Sequence, residues 1–509
     1  MTPKLTAGKT DWLSLLLGLL ALLIGGSTGM LVVETPSSLK LLVMLIGLFF
    51  VLATLIRAEW GMLGLAVINY TNLSDVAIRY HGLPSIAQPF IVLVIFAILV
   101  RWRSYVVRPE GWQTPLLLVG AYTLAGASSL LYASDPIRAQ NEIISYLKYP
   151  IVMIIVTIVL QRGEQLRRMV WTLLLVGIFL GTISSYQYLT GTFDNNYGGF
   201  AVKPFVNITE EGDAESRVTG PIGDPNFYAQ TMVVIVPLAL AQLLNERSRL
   251  LKLLAFWSLA ACIMTVLGTL SRGAFLGLGV VCAMRLLRPP FKPSMLVPIV
   301  AAAIIVLIPL APLIPERYTN RLGTMTEFIS GPSEDGQQDH SLRGRSSEML
   351  AAVMMFSDNP ILGVGLGNYN SQYLKYSRIL GMDSRREERS AHSLYLEIAA
   401  ERGLVGLTIF GALIFVMFRT MLQARRTLYA IGLPAYGAMV DALTIGMTSY
   451  MTTSLFLHDA YPRYFWLLIG IAFATNQVAQ NELAAQQSGA DNKQVLEPYV
   501  GPAVAGSEG

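Results

Sequence analysis

The sequence predicts an all-α, polytopic transmembrane helix bundle of about 12–14 spans with a large, partly helical loop on the outer face. Three observations lead to this fold class. The chain of 509 residues is 53% hydrophobic and only 14% charged, whereas a soluble protein carries roughly 25% charged residues. Its mean hydropathy is +0.52. Apolar runs of about 20 residues, the length that a helix needs to cross the hydrocarbon core, recur along the chain.

The apolar runs mark about fourteen candidate spans. They lie near residues 12–33, 38–56, 60–73, 85–100, 113–132, 143–161, 168–189, 224–245, 252–270, 273–287, 295–314, 400–420, 432–457 and 463–480. The first run lacks the pattern of a cleaved signal peptide, so we expect it to be retained as a span.

These spans divide the chain into four parts. Residues 1–314 hold spans 1–11, with an outer loop at 190–223. Residues 315–399 form the large outer loop, and residues 400–480 hold spans 12–14. Residues 481–509 are rich in Ala, Gln, Gly and Ser without periodic apolar residues, which predicts a disordered cytoplasmic tail.

Basic residues recur on alternate connections between the spans. They are Arg57, then Arg101, Arg103 and Arg108, then Arg162, Arg167 and Arg168, then Arg247, Arg249 and Lys252, then Arg285, Arg288 and Lys292, then Arg419, Arg425 and Arg426. Because lysine and arginine in short loops mark the cytoplasmic side, we expect these connections and both termini to be cytoplasmic.

Composition excludes several classes of function. The 37 basic and 33 acidic residues nearly balance, which argues against a nucleic-acid partner. Cys262 and Cys282 both lie inside apolar runs, and the chain has only four histidines. Such a chain cannot build a disulfide scaffold and offers few ligands for a metal centre, so we expect no metal and no cofactor.

Arginines on the predicted outer face form the most unusual charge pattern. Arg217 precedes a turn-rich entry to a helix that should start at Asp224 and Pro225. Arg272 lies between two apolar runs with almost no loop, so its guanidinium should stay at the membrane boundary; the alternative is a snorkelling interfacial arginine. The arginine fork suits phosphate oxygens.

A third arginine opens a helical stretch of the large loop. Arg343 and Arg345 are two residues apart, so they cannot share a helix face, and we favour Arg345 as the ligand-facing one. The glycine-rich stretch 358–369 follows no strand of a βαβ unit, which argues against a nucleotide site and predicts a loop-shaping turn. Solvated loop charges that pair with outer acids remain the alternative for Arg385, Arg386 and Arg389.

His392 is the main candidate for a catalytic group. Eleven positions separate it from Gly403, which on one continuous helix would place both residues on the same face. A histidine near the membrane boundary can serve as a general base for a sugar hydroxyl. The alternative is an ordinary surface histidine.

A second outer cluster contains His458, Asp459 and Arg463. Asp459 could orient a catalytic group or simply pair with Arg463. Asp441, inside a span, should be buried or line a cavity, and no partner can be named from the sequence.

Taken in order, these motifs resemble the O-antigen ligase and polysaccharide polymerase superfamily of bacterial inner membranes. The resemblance is strongest over residues 217–480. The family has a histidine, ten residues and a glycine, matched by His392 and Gly403. It also has an arginine, three residues and a leucine, matched by Arg345 with Met349 in place of the leucine.

The resemblance implies a metal-independent, inverting glycosyltransferase that acts at the periplasmic face of the inner membrane. Its donor would be an undecaprenyl-diphosphate-linked glycan, and its acceptor a glycan, lipid or protein. Arg217, Arg272 and Arg345 would bind the donor diphosphate, His392 would activate the acceptor hydroxyl, and Asp459 would assist. Exopolysaccharide or O-antigen polymerisation is slightly favoured over ligation to lipopolysaccharide core.

Two other classes of function remain open from the sequence. A transporter of a small anion such as bicarbonate should concentrate ionisable groups near the bilayer midplane, where only Asp441 stands out. A receptor or scaffold with a ligand-binding loop would not require His392.

Overall fold

The computed structural model describes residues 38–102, 113–202, 206–208, 214–287, 340–381, 387–458 and 462–496, which form an α-helical bundle. The helices are α1 Ser38–Ile56, α2 Ala58–Tyr70, α3 Leu73–His81, α4 Ala87–Val100, α5 Gln113–Ala127, α6 Pro136–Tyr146, α7 Lys148–Val159, α8 Gly163–Thr190, α9 Pro225–Asn245, α10 Arg249–Gly268, α11 Arg272–Leu287, α12 His340–Asp358, α13 Tyr369–Leu380, α14 Leu394–Ala430, α15 Pro434–Thr453 and α16 Pro462–Leu496. Short 3₁₀ turns follow α5 at Ser128–Leu131 and α8 at Tyr197–Gly199.

The prediction of an all-α polytopic bundle is confirmed. Among the described residues, six helical runs are long and apolar enough to cross a membrane, and these are 113–131, 136–159, α8, α9, α10 and α14. Each predicted span coincides with a helix except 12–33 and 295–314, which lie outside the described residues. In the outer loop, strands β1 Val206–Ile208 and β2 Ala214–Ser216 pair antiparallel.

Helix α9 lies at the centre of the bundle. It packs against α10, α11 and α15, and most of its side chains are buried. Its start is set locally, because the Asp224 side chain accepts hydrogen bonds from the backbone N–H groups of Asn226 (2.8 Å) and Phe227 (3.1 Å), and Pro225 takes the first helical position. The helix start predicted from Asp224 and Pro225 is therefore confirmed.

Small residues bring α8 and α10 into close contact. A Cβ placed on Gly181 would lie 2.9 Å from the backbone of Ala261, and one on Gly177 would lie 2.9 Å from the sulfur of Cys262. Small side chains that let helix backbones approach each other are typical of membrane bundles. Cys262 is consequently buried as a packing residue between the two helices.

Ion pairs join the connections that the basic residues marked as cytoplasmic. Arg167 pairs with Glu246 at 3.0 Å, and Arg168 pairs with Glu59 at 2.7 Å. At the opposite end of the bundle, Arg463 pairs with Asp75 at 2.7 Å. These pairs hold helix ends together, and the cytoplasmic assignment of the basic connections stays a prediction.

The last helix differs from the expectation of a disordered tail from residue 481. Helix α16 continues to Leu496. Asn481 donates to the carbonyl of Gln161 (2.9 Å), and Glu482 accepts from the backbone N–H of Gly163 (2.8 Å). The tail has few apolar residues, but its Ala, Gln and Glu residues favour helix and these contacts hold its first turn.

Candidate active site

Arg217 is held in a fixed position beside the end of α10. Its side chain is buried, with 7% of the residue exposed. Its Nε donates to the carbonyl of Thr269 (2.8 Å) and its terminal NH2 donates to the side-chain oxygen of Asn226 (3.2 Å). Because two neutral acceptors fix the guanidinium plane, the arginine keeps its charge and direction inside the protein.

Arg272 begins α11 on the same side of the bundle. The connection from α10 is a tight reversal in which Leu270 adopts a left-handed backbone with φ of +52°, a conformation that non-glycine residues rarely take. Thr269, which accepts from Arg217, lies only three residues before Arg272. The reversal therefore brings two guanidinium-bearing residues to one place at the end of the bundle.

His392 lies in the loop before α14 and contacts two other groups. Its Nε2 is 3.5 Å from a carboxylate oxygen of Glu348, a residue of α12 that is 2% exposed. Its ring stands edge-to-face with the ring of His458, with centroids 5.1 Å apart. The backbone of His392 is left-handed, with φ of +48°. Such strain in a non-glycine residue often occurs at functional sites.

His458 connects this histidine to the arginine side of the site. Its ring packs edge-on against Phe227, with centroids 5.0 Å apart, and Phe227 follows directly after Asn226, which binds Arg217. Burial lowers the pKa of His458 to about 4, although the nearby Asp224 carboxylate opposes the shift. His458 is therefore neutral at pH 7 and packs as an uncharged ring.

Gly403 interrupts α14 where another segment crosses it. Its φ is +59° and its ψ is −158°, and a Cβ at this position would collide with the carbonyl of Ile361. The crossing chain belongs to the predicted glycine-rich turn: Leu404 donates to Pro360 O (2.8 Å) and Val364 donates to Ala400 O (2.8 Å). Only glycine combines this backbone conformation with so close an approach.

The prediction that His392 and Gly403 share one helix face is wrong. Helix α14 begins at Leu394, two residues after His392, and its regular backbone is broken at Gly403. The spacing argument assumed one continuous helix through all eleven steps. Gly403 positions the start of α14 through its contact with the glycine-rich turn, and His392 is positioned by its own loop.

A family model described as O-antigen ligase matches residues 257–411. This span contains Arg272, Arg345, His392 and Gly403. This match supports the resemblance to the O-antigen ligase-related superfamily over residues 257–411. No curated protein matches the chain.

Contacts link two of the predicted site residues, Arg217 and His392, into one group. Contacts run from Arg217 to Asn226, from Phe227 to His458, from His458 to His392 and from His392 to Glu348. Arg345 lies three residues before Glu348 on α12, so the two share a helix face. The structure therefore brings the segments that carry Arg217, Arg272, Arg345 and His392 to one end of the bundle.

Two residues of this group were given no role by the sequence analysis. Glu348 is buried, and its backbone carbonyl accepts a 2.6 Å hydrogen bond from the Tyr369 hydroxyl. Its spacing of three residues from Arg345 could have indicated it in the sequence. His458 appeared only as a neighbour of Asp459. The contacts of both residues with His392 join parts of the chain 44 and 66 residues away from it.

Three further expectations have different outcomes. Asp459 lies outside the described residues, and Arg463 pairs with Asp75. Asp441 finds a partner in Arg425, at 3.0 Å. Arg389 pairs with Glu387 at 3.1 Å, as the solvated-charge alternative expects. Arg385 and Arg386 also lie outside the described residues.

Proposed function

We propose that this protein is a glycosyltransferase of the O-antigen ligase and polymerase type that works on the periplasmic face of the bacterial inner membrane. It transfers glycan from an undecaprenyl-diphosphate carrier to an acceptor hydroxyl on a glycan, lipid or protein. The observation that supports this best is the continuous series of contacts from buried Arg217 to the His392–Glu348 pair. These contacts connect the fixed positive charge of Arg217 to His392, the potential general base.

The reaction needs one bond to form and one to break at the anomeric carbon of the donor. The acceptor oxygen attacks this carbon from the side opposite to the diphosphate, which inverts its configuration. The bond between the carbon and the diphosphate oxygen breaks with its electron pair leaving on the diphosphate. His392 takes the proton of the acceptor hydroxyl, and the buried Glu348 carboxylate stabilises the imidazolium that forms.

The arginines provide the charge that the leaving group requires. Arg217, Arg272 and Arg345 bind the diphosphate oxygens, and their guanidinium groups stabilise the negative charge that develops there, so no metal takes part in the proposed step. One preorganised donor at such a position contributes about 3 kcal/mol to the transition state. Arg217 meets this condition most clearly, because its plane is fixed by Thr269 and Asn226.

The experiment replaces His392→Ala and Arg272→Ala separately in the native host, at matched protein levels. We expect each change to remove long surface glycan and to accumulate lipid-linked precursor. The controls are His81→Ala and Arg378→Ala, two exposed residues of the same types outside the linked group. Normal surface glycan in either test variant would remove that residue from the mechanism.

The length of the accumulated precursor separates the two reactions within the family. Loss of a polymerase leaves single repeat units on the carrier, whereas loss of a ligase leaves long chains on it. We favour polymerisation and expect single units. Long carrier-linked chains would assign ligation instead.

Anion transport receives no comparable support. Asp441, the ionisable group on which a transport pathway would depend, has Arg425 as an ion-pair partner at 3.0 Å. A structural pair of this kind explains the partly buried carboxylate without a transported ion. We expect Asp441→Asn to leave glycan length unchanged at equal protein levels, measured on the same gels.

A further inference from the structure

A polar cavity of about 290 Å³ lies next to the linked group but contains none of its arginines. It is lined mainly by residues of α5, α6, the start of α7, the first turns of α14 and the turn at 366–370. His458 is the residue that lines the cavity and also contacts His392. The cavity therefore lies beside the proposed base, and Arg217, Arg272 and Arg345 do not line it.

Aromatic residues form one part of the cavity wall. Tyr122, Tyr146 and Tyr149 all line it, and the rings of Tyr122 and Tyr146 meet edge-to-face at 6.1 Å. Behind them, Trp466 packs against Tyr146 at 5.5 Å and is itself 2% exposed. Each of these tyrosines offers an apolar ring with a polar tip.

Carboxylates and guanidinium groups also line the cavity. Arg402 lies with its guanidinium 4.0 Å above the Tyr122 ring, and Glu401 accepts from the backbone N–H of Tyr369 at 3.1 Å. Glu142 lies against Gly367, which has a φ of +70° and leaves no room for a Cβ. Arg138, at the rim, pairs with Glu388 at 2.8 Å.

This chemistry differs from that of the diphosphate site. Three carboxylates, Glu142, Glu397 and Glu401, face two guanidinium groups, those of Arg138 and Arg402. Such a balance does not favour an anion. A polyhydroxylated ring without charge fits it, because each hydroxyl both donates and accepts hydrogen bonds and the ring's apolar face can lie on a tyrosine.

We propose that the cavity is a subsite for uncharged sugar rings of the glycan. This inference rests on the proposed function. The volume lies near the lower end of the roughly 300–1,000 Å³ that ligand pockets occupy, which suits a short glycan segment rather than a whole chain. Through His458 the segment lies beside His392, so a hydroxyl of the bound sugar is close to the proposed base.

The test measures binding without turnover. The probe is the oligosaccharide that mild acid releases from the lipid-linked glycan pool of the native host, titrated onto the full-length protein in lipid nanodiscs. We expect Tyr149→Phe and Glu142→Gln each to weaken binding about tenfold, since each removes or alters one hydrogen bond to the sugar. Tyr186→Phe and Glu164→Gln, outside the cavity, are the matched controls and should bind as the unchanged protein does.

Two outcomes would overturn the proposal: no binding to the unchanged protein, or cavity variants that bind as tightly as their controls while melting at the same temperature. Failure of the proposed function is distinguishable from either. If the unchanged protein binds the oligosaccharide through this cavity but never transfers it, the sugar subsite stands and the transferase assignment falls.

A second comparison identifies which glycan occupies the cavity. The affinities of undecaprenyl diphosphate and of the intact lipid-linked glycan are measured on the same proteins. The quantity compared is the gain in affinity that the attached glycan gives over undecaprenyl diphosphate alone. If the donor's sugar binds in the cavity, this gain is about tenfold larger for the unchanged protein than for the Glu142→Gln protein. If the acceptor's sugar binds there, the gain is the same for both proteins.

Discussion

Glu348→Gln tests whether a buried carboxylate supports His392. The substitution keeps the shape of the side chain and removes its charge. At 3.5 Å, a unit charge on the imidazole and the Glu348 carboxylate attract by about 5 kcal/mol at an effective dielectric of about 20. The His392 side chain is 27% exposed, so solvent reduces this to about 2 kcal/mol. At 1.36 kcal/mol per factor of ten, we expect kcat to fall about 30-fold.

The assay measures initial rates of the reconstituted protein with lipid-linked glycan from the native host. The control is Glu387→Gln, which neutralises a solvent-exposed carboxylate in the loop that carries His392. Melting temperatures of the two variants show whether the change has disturbed the fold. The reasoning is refuted if Glu348→Gln keeps the rate of the control, or if its rate loss only follows a loss of folded protein.

Three further changes test individual parts of the account. Gly403→Ala should destabilise the protein by at least about 2 kcal/mol, because position 403 has a positive φ and its Cβ would clash with backbone. Gly432→Ala, at a similar φ but with open space around the Cβ, should cost about 1 kcal/mol. Chemical denaturation measures the free energy of unfolding of both variants. Arg217→Lys should lower turnover at least about 100-fold, since lysine lacks the planar fork, and equal rates would contradict the diphosphate role. Because the pKa of His458 is lowered to about 4 in the folded chain, the unfolded chain binds more protons between about pH 6.5 and 4. The contribution of His458 to the free energy of unfolding should be fully present above about pH 6.5 and be lost as the pH falls toward 4. In the His458→Gln variant, the melting temperature should therefore change less with pH over this range.

The spans could be predicted from the sequence because their signal is local. A run of about 20 apolar residues has few stable alternatives to a buried or membrane helix. Asp224 likewise fixes the start of α9, because its side chain accepts hydrogen bonds from the backbone N–H groups of Asn226 and Phe227. Where a feature depends on neighbours in the chain, residue type and spacing were sufficient.

The geometry around His392 could not be obtained in this way. The break at Gly403 exists because the segment at 360–364 crosses α14 there, about forty residues away along the chain. The contact between Glu348 and His392 likewise joins α12 to a loop. The extension of α16 depends on contacts with the α7–α8 connection. The periodicity of apolar residues carries no information about contacts between distant segments. The sequence therefore indicated the candidate residues but not how they are arranged.

The most direct measurement is a structure of the full-length protein in lipid nanodiscs with undecaprenyl diphosphate bound. The account predicts that the phosphate oxygens lie within hydrogen-bond distance, about 3 Å, of the Arg217 and Arg272 guanidinium groups. It also predicts that the end of the diphosphate that carries the sugar in the donor faces His392. A diphosphate bound elsewhere, with these arginines directed away from it, would contradict the account.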